Sequence, residues 1–128
     1  MDGHRHSVLL TEDDADTQEA LRLLLEQAGY DVIGVSHGRD ALAALRGGAR
    51  PCVILLDLAM PDMNGFEFRR AQLADPALEA IPVIVLSAGG HVNQADARKL
   101  GMDKFFRKPL DIDALADAVH RACNREPA

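Results

Sequence analysis

Cys52-Val53-Ile54-Leu55-Leu56-Asp57 is an unbroken apolar run that ends on an acid. Pro51 leads into it, and nothing polar interrupts it before the carboxylate. Such a run reads as a strand buried on both faces, as a parallel sheet requires. Three other segments share its grammar. Ser7-Val8-Leu9-Leu10, continuing to Thr11, precedes Glu12, Asp13 and Asp14; Val83-Ile84-Val85-Leu86 precedes Ser87; and Phe105-Phe106-Arg107 precedes Lys108. A shorter strand is expected over Asp31 to Val35, and the fifth over Lys104 to Arg107.

Helical patterns fill the intervals. Leu21, Leu24, Leu25 and Ala28 fall at i, i+3, i+4 and i+7, which predicts a helix over about 16–28. Asp16 with Glu19 reads as its capping box, and Gly29 as its stop. A second helix is expected over 40–46, ended by Gly47-Gly48. A third is capped by Asn64 with Glu67 and runs to about Leu73, where Asp75-Pro76 breaks it. The fourth, about 92–100, has the weakest stripe, Val92, Ala95 and Leu100. The last carries Ile112, Leu115, Ala116, Val119 and Cys123 on one face behind an Asp111 cap. Five βα units in succession predict an α/β fold, (βα)5 doubly wound, with helices on both faces of an open five-stranded parallel sheet. The expected strand order is 2-1-3-4-5. The chain reads as one domain over 1–128, with a core of about 7–123 and short polar tails.

Composition narrows the function. The 128 residues are 48% hydrophobic and 27% charged, the balance of an ordinary globular domain. A net charge of −6 argues against nucleic-acid binding by this domain, which would need a basic face. No apolar stretch approaches the length of a membrane span, and residues 1–6 lack a signal-peptide core. A cytoplasmic protein is expected. Cys52 and Cys123, without metal spacing, are expected to be core thiols in a reducing compartment. No organic cofactor is indicated.

The strand ends carry the chemistry. In the 2-1-3-4-5 order the first and third strands are neighbours, and their connections leave in opposite directions. A crevice opens between their C-terminal ends. Glu12, Asp13 and Asp57 would crowd there, and clustered carboxylates repel unless protonated or bridged by a cation. Mg2+ is the natural candidate, with Mn2+ as its alternative, since hard cations take oxygen ligands and share sites with phosphates. Acids that merely open a helix would explain Glu12 to Asp14 alone, but not Asp57 at the end of a buried run. Aspartate can act as a covalent nucleophile and form an aspartyl phosphate. Lys108 can pair with Asp57 at rest and with a phosphoryl oxygen afterwards. Lys108-Pro109 raises a cis peptide. Ser87 can donate to a phosphoryl oxygen. Phe105 falls on the opposite strand face from Phe106 and Lys108, and packing is an equal account of it.

Taken together, Glu12-Asp13, Asp57-Leu-Ala-Met-Pro61-Asp-Met-Asn-Gly65, Leu86-Ser87-Ala88 and Lys108-Pro109 resemble a response-regulator receiver domain, the phosphoacceptor module of two-component signalling. The resemblance spans about Ser7 to Cys123 and implies a flavodoxin-like fold. It implies that Asp57 is the phosphoacceptor, taking a phosphoryl group from a phosphohistidine on a histidine kinase or histidine phosphotransfer protein. Glu12, Asp13, Asp57 and the backbone carbonyl of Ala59 would hold Mg2+, with Asp13 direct and Glu12 through water. Ser87 would be the switch hydroxyl, Lys108 the phosphate-binding amine and Phe105 the aromatic that reorients. The surface of the fourth helix, fifth strand and fifth helix would then change its affinity for a downstream protein of unknown identity. The resemblance implies a signalling phosphoacceptor and no enzyme in the ordinary sense, with no membrane partner. A stand-alone shuttle and an excised receiver both remain open. Thr11 stands where the family usually has an apolar residue, the interval from Ser87 to Lys108 is one residue short, and Ala59 and Gly89 are small. A covalent phosphatase is disfavoured by alanine at 59, where a general acid would be needed. A flavin binder is disfavoured by acids where a phosphate cradle would be. A phosphorylation-independent interaction module is disfavoured by the complete Asp, Ser and Lys set.

Overall fold

The computed structural model describes residues 6–60, 63–87, 94–102 and 104–124. Five strands and five helices alternate among them: β1 (Ser7–Thr11), α1 (Ala15–Gln27), β2 (Asp31–Val35), α2 (Gly38–Arg46), β3 (Val53–Asp57), α3 (Gly65–Leu73), β4 (Val83–Ser87), α4 (Gln94–Lys99), β5 (Phe105–Arg107) and α5 (Ile112–Cys123). The strands form one parallel sheet in the order β2-β1-β3-β4-β5, as expected. The register places Thr11 beside Leu56, Asp57 beside Leu86, and Ser87 beside Arg107. The polar residues ending β1, β3 and β4 therefore reach one edge of the sheet.

Alternation along each strand divides the core in two. Leu9, Ile54, Leu56, Val83 and Val85 face α2, α3 and α4, where Leu42, Leu45, Phe68 and Ala97 meet them. Val8, Leu10, Val53, Leu55, Ile84 and Leu86 face the other way, onto Leu21 and Leu25 of α1 and Leu115, Val119 and Cys123 of α5. β3 is buried at every position, the physical meaning of its unbroken apolar run.

The helix caps refine the sequence reading. α1 begins earlier than expected, because Asp14 is its N-cap and accepts from Thr17 N at 2.9 Å; Asp16 lies within the first turn. Leu21 and Leu25 of its predicted stripe are buried, while Ala28 is exposed. Gly29 stops the helix with φ of +101°. α2 also begins earlier, at Gly38. Asn64 and Glu67 form the expected capping box of α3, and Asp111 caps α5 through Ala114 N. Of the expected fourth helix, residues 92 and 93 lie outside the described residues, as do Pro61, Asp62 and Ala88 of the motifs, and Gly89. α3 is also tied sideways. Arg69 Nε donates to Leu100 O at 2.8 Å and its guanidinium to Gln72 Oε1 at 2.7 Å. Gln72 Nε2 donates in turn to Leu78 O and Ile81 O, at 2.9 and 3.0 Å.

The cysteines correct the expectation of free core thiols. Cys52 and Cys123 are joined as a disulfide, with Cα atoms 4.8 Å apart. A return helix over a parallel sheet runs antiparallel to its strands, so the last residue of α5 lands beside the first turn into β3. Their 71-residue separation conceals this neighbourhood.

Candidate functional site

Asp57 closes β3 and is buried, with 3% of its surface exposed. Its Oδ1 accepts from Ala59 N–H at 3.0 Å. Its Oδ2 stands 3.6 Å from Lys108 Nζ. Lys108 also meets Glu12 Oε1 at 2.7 Å. Glu12 has no exposed surface, and the ammonium is the neighbour of that oxygen; its Oε2 accepts from Asp14 N–H at 3.1 Å. Asp13 is exposed at the mouth of the site. One carboxylate oxygen from each of Glu12, Asp13 and Asp57 lies within 4.8 Å of the others. Lys108 reaches the site from the cis Lys108-Pro109 turn after β5, which bears out the cis expectation.

The electrostatics follow from this crowding. Burial raises the Asp57 carboxyl from its ordinary 3.8 to about 6, aided by the Glu12 carboxylate and Asp13 and opposed by the Ala59 N–H and Lys108. Burial alone would lower Lys108, but Glu12, Asp57 and Asp13 outweigh it and hold the ammonium above its ordinary range. Two buried acids and a half-buried lysine thus carry a net negative charge in a partly dry pocket. Three carboxylates at this spacing, with one oxygen of each close to the others, fit a hard divalent cation that prefers oxygen ligands.

The remaining predicted residues are placed as follows. Ser87 is the last residue of β4, next to Leu86, the register partner of Asp57. Ala59 is exposed two residues after Asp57. Phe105 is half-buried on the α2–α4 side of the sheet, opposite Phe106, and the Arg98 guanidinium lies 5.9 Å from its ring centroid.

Three contributors escaped the sequence reading. Thr11, noted only as an unusual residue, is fully buried; its hydroxyl donates to Leu55 O at 2.9 Å and accepts from Asp57 N–H at 3.3 Å. A lone threonine in an apolar strand was the available signal. Gln18 Nε2 donates to Glu12 O at 2.8 Å and Val35 O at 3.1 Å, clasping the ends of β1 and β2. Gly65 lets α3 start against the chain after Asp57: a Cβ there would come 2.8 Å from Leu58 Cα and 3.2 Å from Asp57 O.

The response regulator receiver domain matches residues 8–120. The response regulator MtrA of Mycobacterium tuberculosis, described as DNA-binding, is 33% identical over 132 aligned positions, covering 100% of this chain and 56% of the relative. This chain therefore spans about half the length of that regulator. Protein PilH of Pseudomonas aeruginosa is 28% identical across 88% of this chain and 93% of its own. Among solved structures, the receiver domain of a signal transduction histidine kinase from Syntrophus aciditrophicus superposes with a TM-score of 0.84 at 31% identity, covering 96% of each chain. The chemotaxis response regulator CheY4 of Vibrio cholerae gives 0.84 at 28% identity, covering 93% of this chain and 99% of its own. The chain belongs to the response-regulator receiver family, with the flavodoxin-like fold of the CheY-like receivers, and its setting is two-component signalling. Among the described residues no helix is long and apolar enough to cross a membrane.

Proposed function

We propose that the chain is a phosphoacceptor in which Asp57 takes a phosphoryl group from a phosphohistidine on a histidine kinase or histidine phosphotransfer protein. The observation that carries this reading is the meeting of Asp57, Glu12, Asp13 and Lys108 at one edge of the sheet. The carboxylate oxygen of Asp57 facing Lys108 attacks phosphorus, an O–P bond forms, and the N–P bond to the donor imidazole breaks. Ala59 N–H holds the other oxygen and fixes the carboxylate plane. Lys108 follows the developing phosphoryl charge from its seat on Glu12. Glu12, Asp13, Asp57 and the Ala59 carbonyl would hold Mg2+, or Mn2+ in its place, which supplies charge neutralisation for the incoming phosphate. Ser87 takes the hydroxyl role beside the new phosphoryl oxygens, and Phe105 the reorienting aromatic role. The product replaces one negative charge with roughly two, and α4, β5 and α5 carry that change to a downstream protein. The donor kinase works in the cytoplasm, and the domain with it.

The test is intact mass after incubation with acetyl phosphate, with Mg2+ or with EDTA, for the wild type and Asp57→Asn. A gain of one phosphoryl group that needs both the cation and Asp57 is expected. A gain that survives Asp57→Asn sinks the assignment.

A further inference from the structure

The opposite edge of the sheet carries a second assembly that the phosphoacceptor chemistry does not use. Cys52 is half-buried at the entry to β3, its N–H donating to Ser7 O at 2.8 Å. Cys123 is buried at the end of α5 and bonded to it. His6 stands beside the pair: one ring nitrogen and the two sulfurs lie within 4.8 Å of one another. Tyr30 meets the His6 ring edge-on at a centroid distance of 6.5 Å. A cavity of about 320 Å³, lined by Pro51, Pro82, Ala122 and both cysteines, opens onto the bond.

We infer that Cys52–Cys123 is a reversible thiol–disulfide site that pins or releases the C-terminal end of α5, giving the protein a redox input separate from Asp57. Three features support exchange over a permanent cross-link. The cavity gives an attacking thiolate a route to sulfur. Cys52 is less buried than Cys123, which makes it the more exposed half of the bond. An imidazole beside a cysteine favours the thiolate, the form that attacks and the form that leaves. The reactant class is a small disulfide such as oxidised glutathione. The Cys52 thiolate attacks it, one small thiolate departs, and a mixed disulfide forms. The Cys123 thiolate then displaces the second small thiolate. Two protein thiols are oxidised and lose their protons, and one small disulfide is reduced to two thiols. The bond joins α5 to the entry of β3, two elements that also pack through their side chains. Opening it leaves β3 in place between β1 and β4 and frees the last turn of α5.

The test equilibrates the full chain in buffers of graded reduced-to-oxidised glutathione ratio, from both directions, followed by acid quench, alkylation and intact mass. Hydrogen exchange is read on the same samples. We expect a native, reversible passage between zero and two alkyl additions with one midpoint from either side. Exchange across the end of α5 should rise about tenfold on reduction while β3 stays protected. His6→Ala should slow the approach to equilibrium several-fold with unchanged far-UV spectra. Cys123→Ser should show the fast α5 exchange in every buffer. Reduction only in denaturant, no bond at any ratio, or alkylation that proceeds only after a metal chelator would each overturn the inference. Unchanged α5 exchange on reduction would also overturn it.

Discussion

Replacing Asp57 with asparagine should make the metal-free protein more stable at neutral pH. In the fold the acid titrates at about 6, raised by burial and by Glu12, against 3.8 in the open chain. At about 1.4 kcal/mol per pKa unit, keeping it ionised costs the native state about 3 kcal/mol. The pocket opens to solvent at the exposed Asp13, and screening there leaves roughly 1–2 kcal/mol. The sign follows from linkage. Below pH 3.8 both states are protonated and the penalty is absent. As pH rises from 3.8 to about 6 the unfolded chain ionises first, so native stability falls; above about 6 the full penalty stands. Asparagine keeps the Oδ1 acceptor for Ala59 and never ionises. Thermal unfolding by circular dichroism in EDTA, from pH 4 to 8, should show Asp57→Asn melting higher by roughly 3–8 °C at pH 7.5. The gap should close as pH falls from 6 towards 4. Equal or lower stability of the variant at pH 7.5, or a gap independent of pH, would refute the reasoning.

Lys108→Ala removes the cation that opposes the Asp57 shift, so the carboxyl should titrate above 6 when followed by carbon NMR, and phosphoryl uptake from acetyl phosphate should drop. Thr11→Val keeps the shape but strips Asp57 N–H of its hydroxyl acceptor; urea unfolding should show a loss of about 1–3 kcal/mol, and an unchanged midpoint would contradict the bridging role. Asn64→Ala deletes the α3 capping box and should cost about 1 kcal/mol in the same assay, with the Asp57–Lys108 cluster intact. Gly65→Ala forces the chain apart directly behind Asp57, so it should slow phosphoryl uptake as well as lower stability, whereas a purely thermal effect would show that α3 yields instead.

The fold was legible wherever burial writes itself as uninterrupted apolar residues. Val53 to Leu56 fits a strand covered on both faces, and its alternation with helical stripes pointed to the architecture. The end of β3 was legible for the same reason: an acid directly after such a run needs a purpose. What escaped depends on chain crossings. Asp14, one place beyond Glu12 and Asp13, caps α1 while Asp16 lies within its first turn, and no local pattern separates the two. Thr11 gains meaning only from β3 lying beside it. The disulfide requires knowing that α5 travels back along the sheet, which no spacing between Cys52 and Cys123 records.

Gln72 has an effect on what this chain can tolerate in its loops. One amide holds the carbonyls of Leu78 and Ile81 together, and through Arg69 it also steadies Leu100. The passage from α3 into β4 is therefore measured by a ruler buried in the protein rather than by its own exposed residues. Pro76, Ala77 and Glu79 are free to change identity, since their side chains lie outside the ruler's grip. Adding or removing one residue between 74 and 82 would break two carbonyl contacts at once and strand a buried amide. Drift in this segment is expected as substitution at constant length, and an engineer seeking a site for an inserted peptide should look elsewhere on the surface.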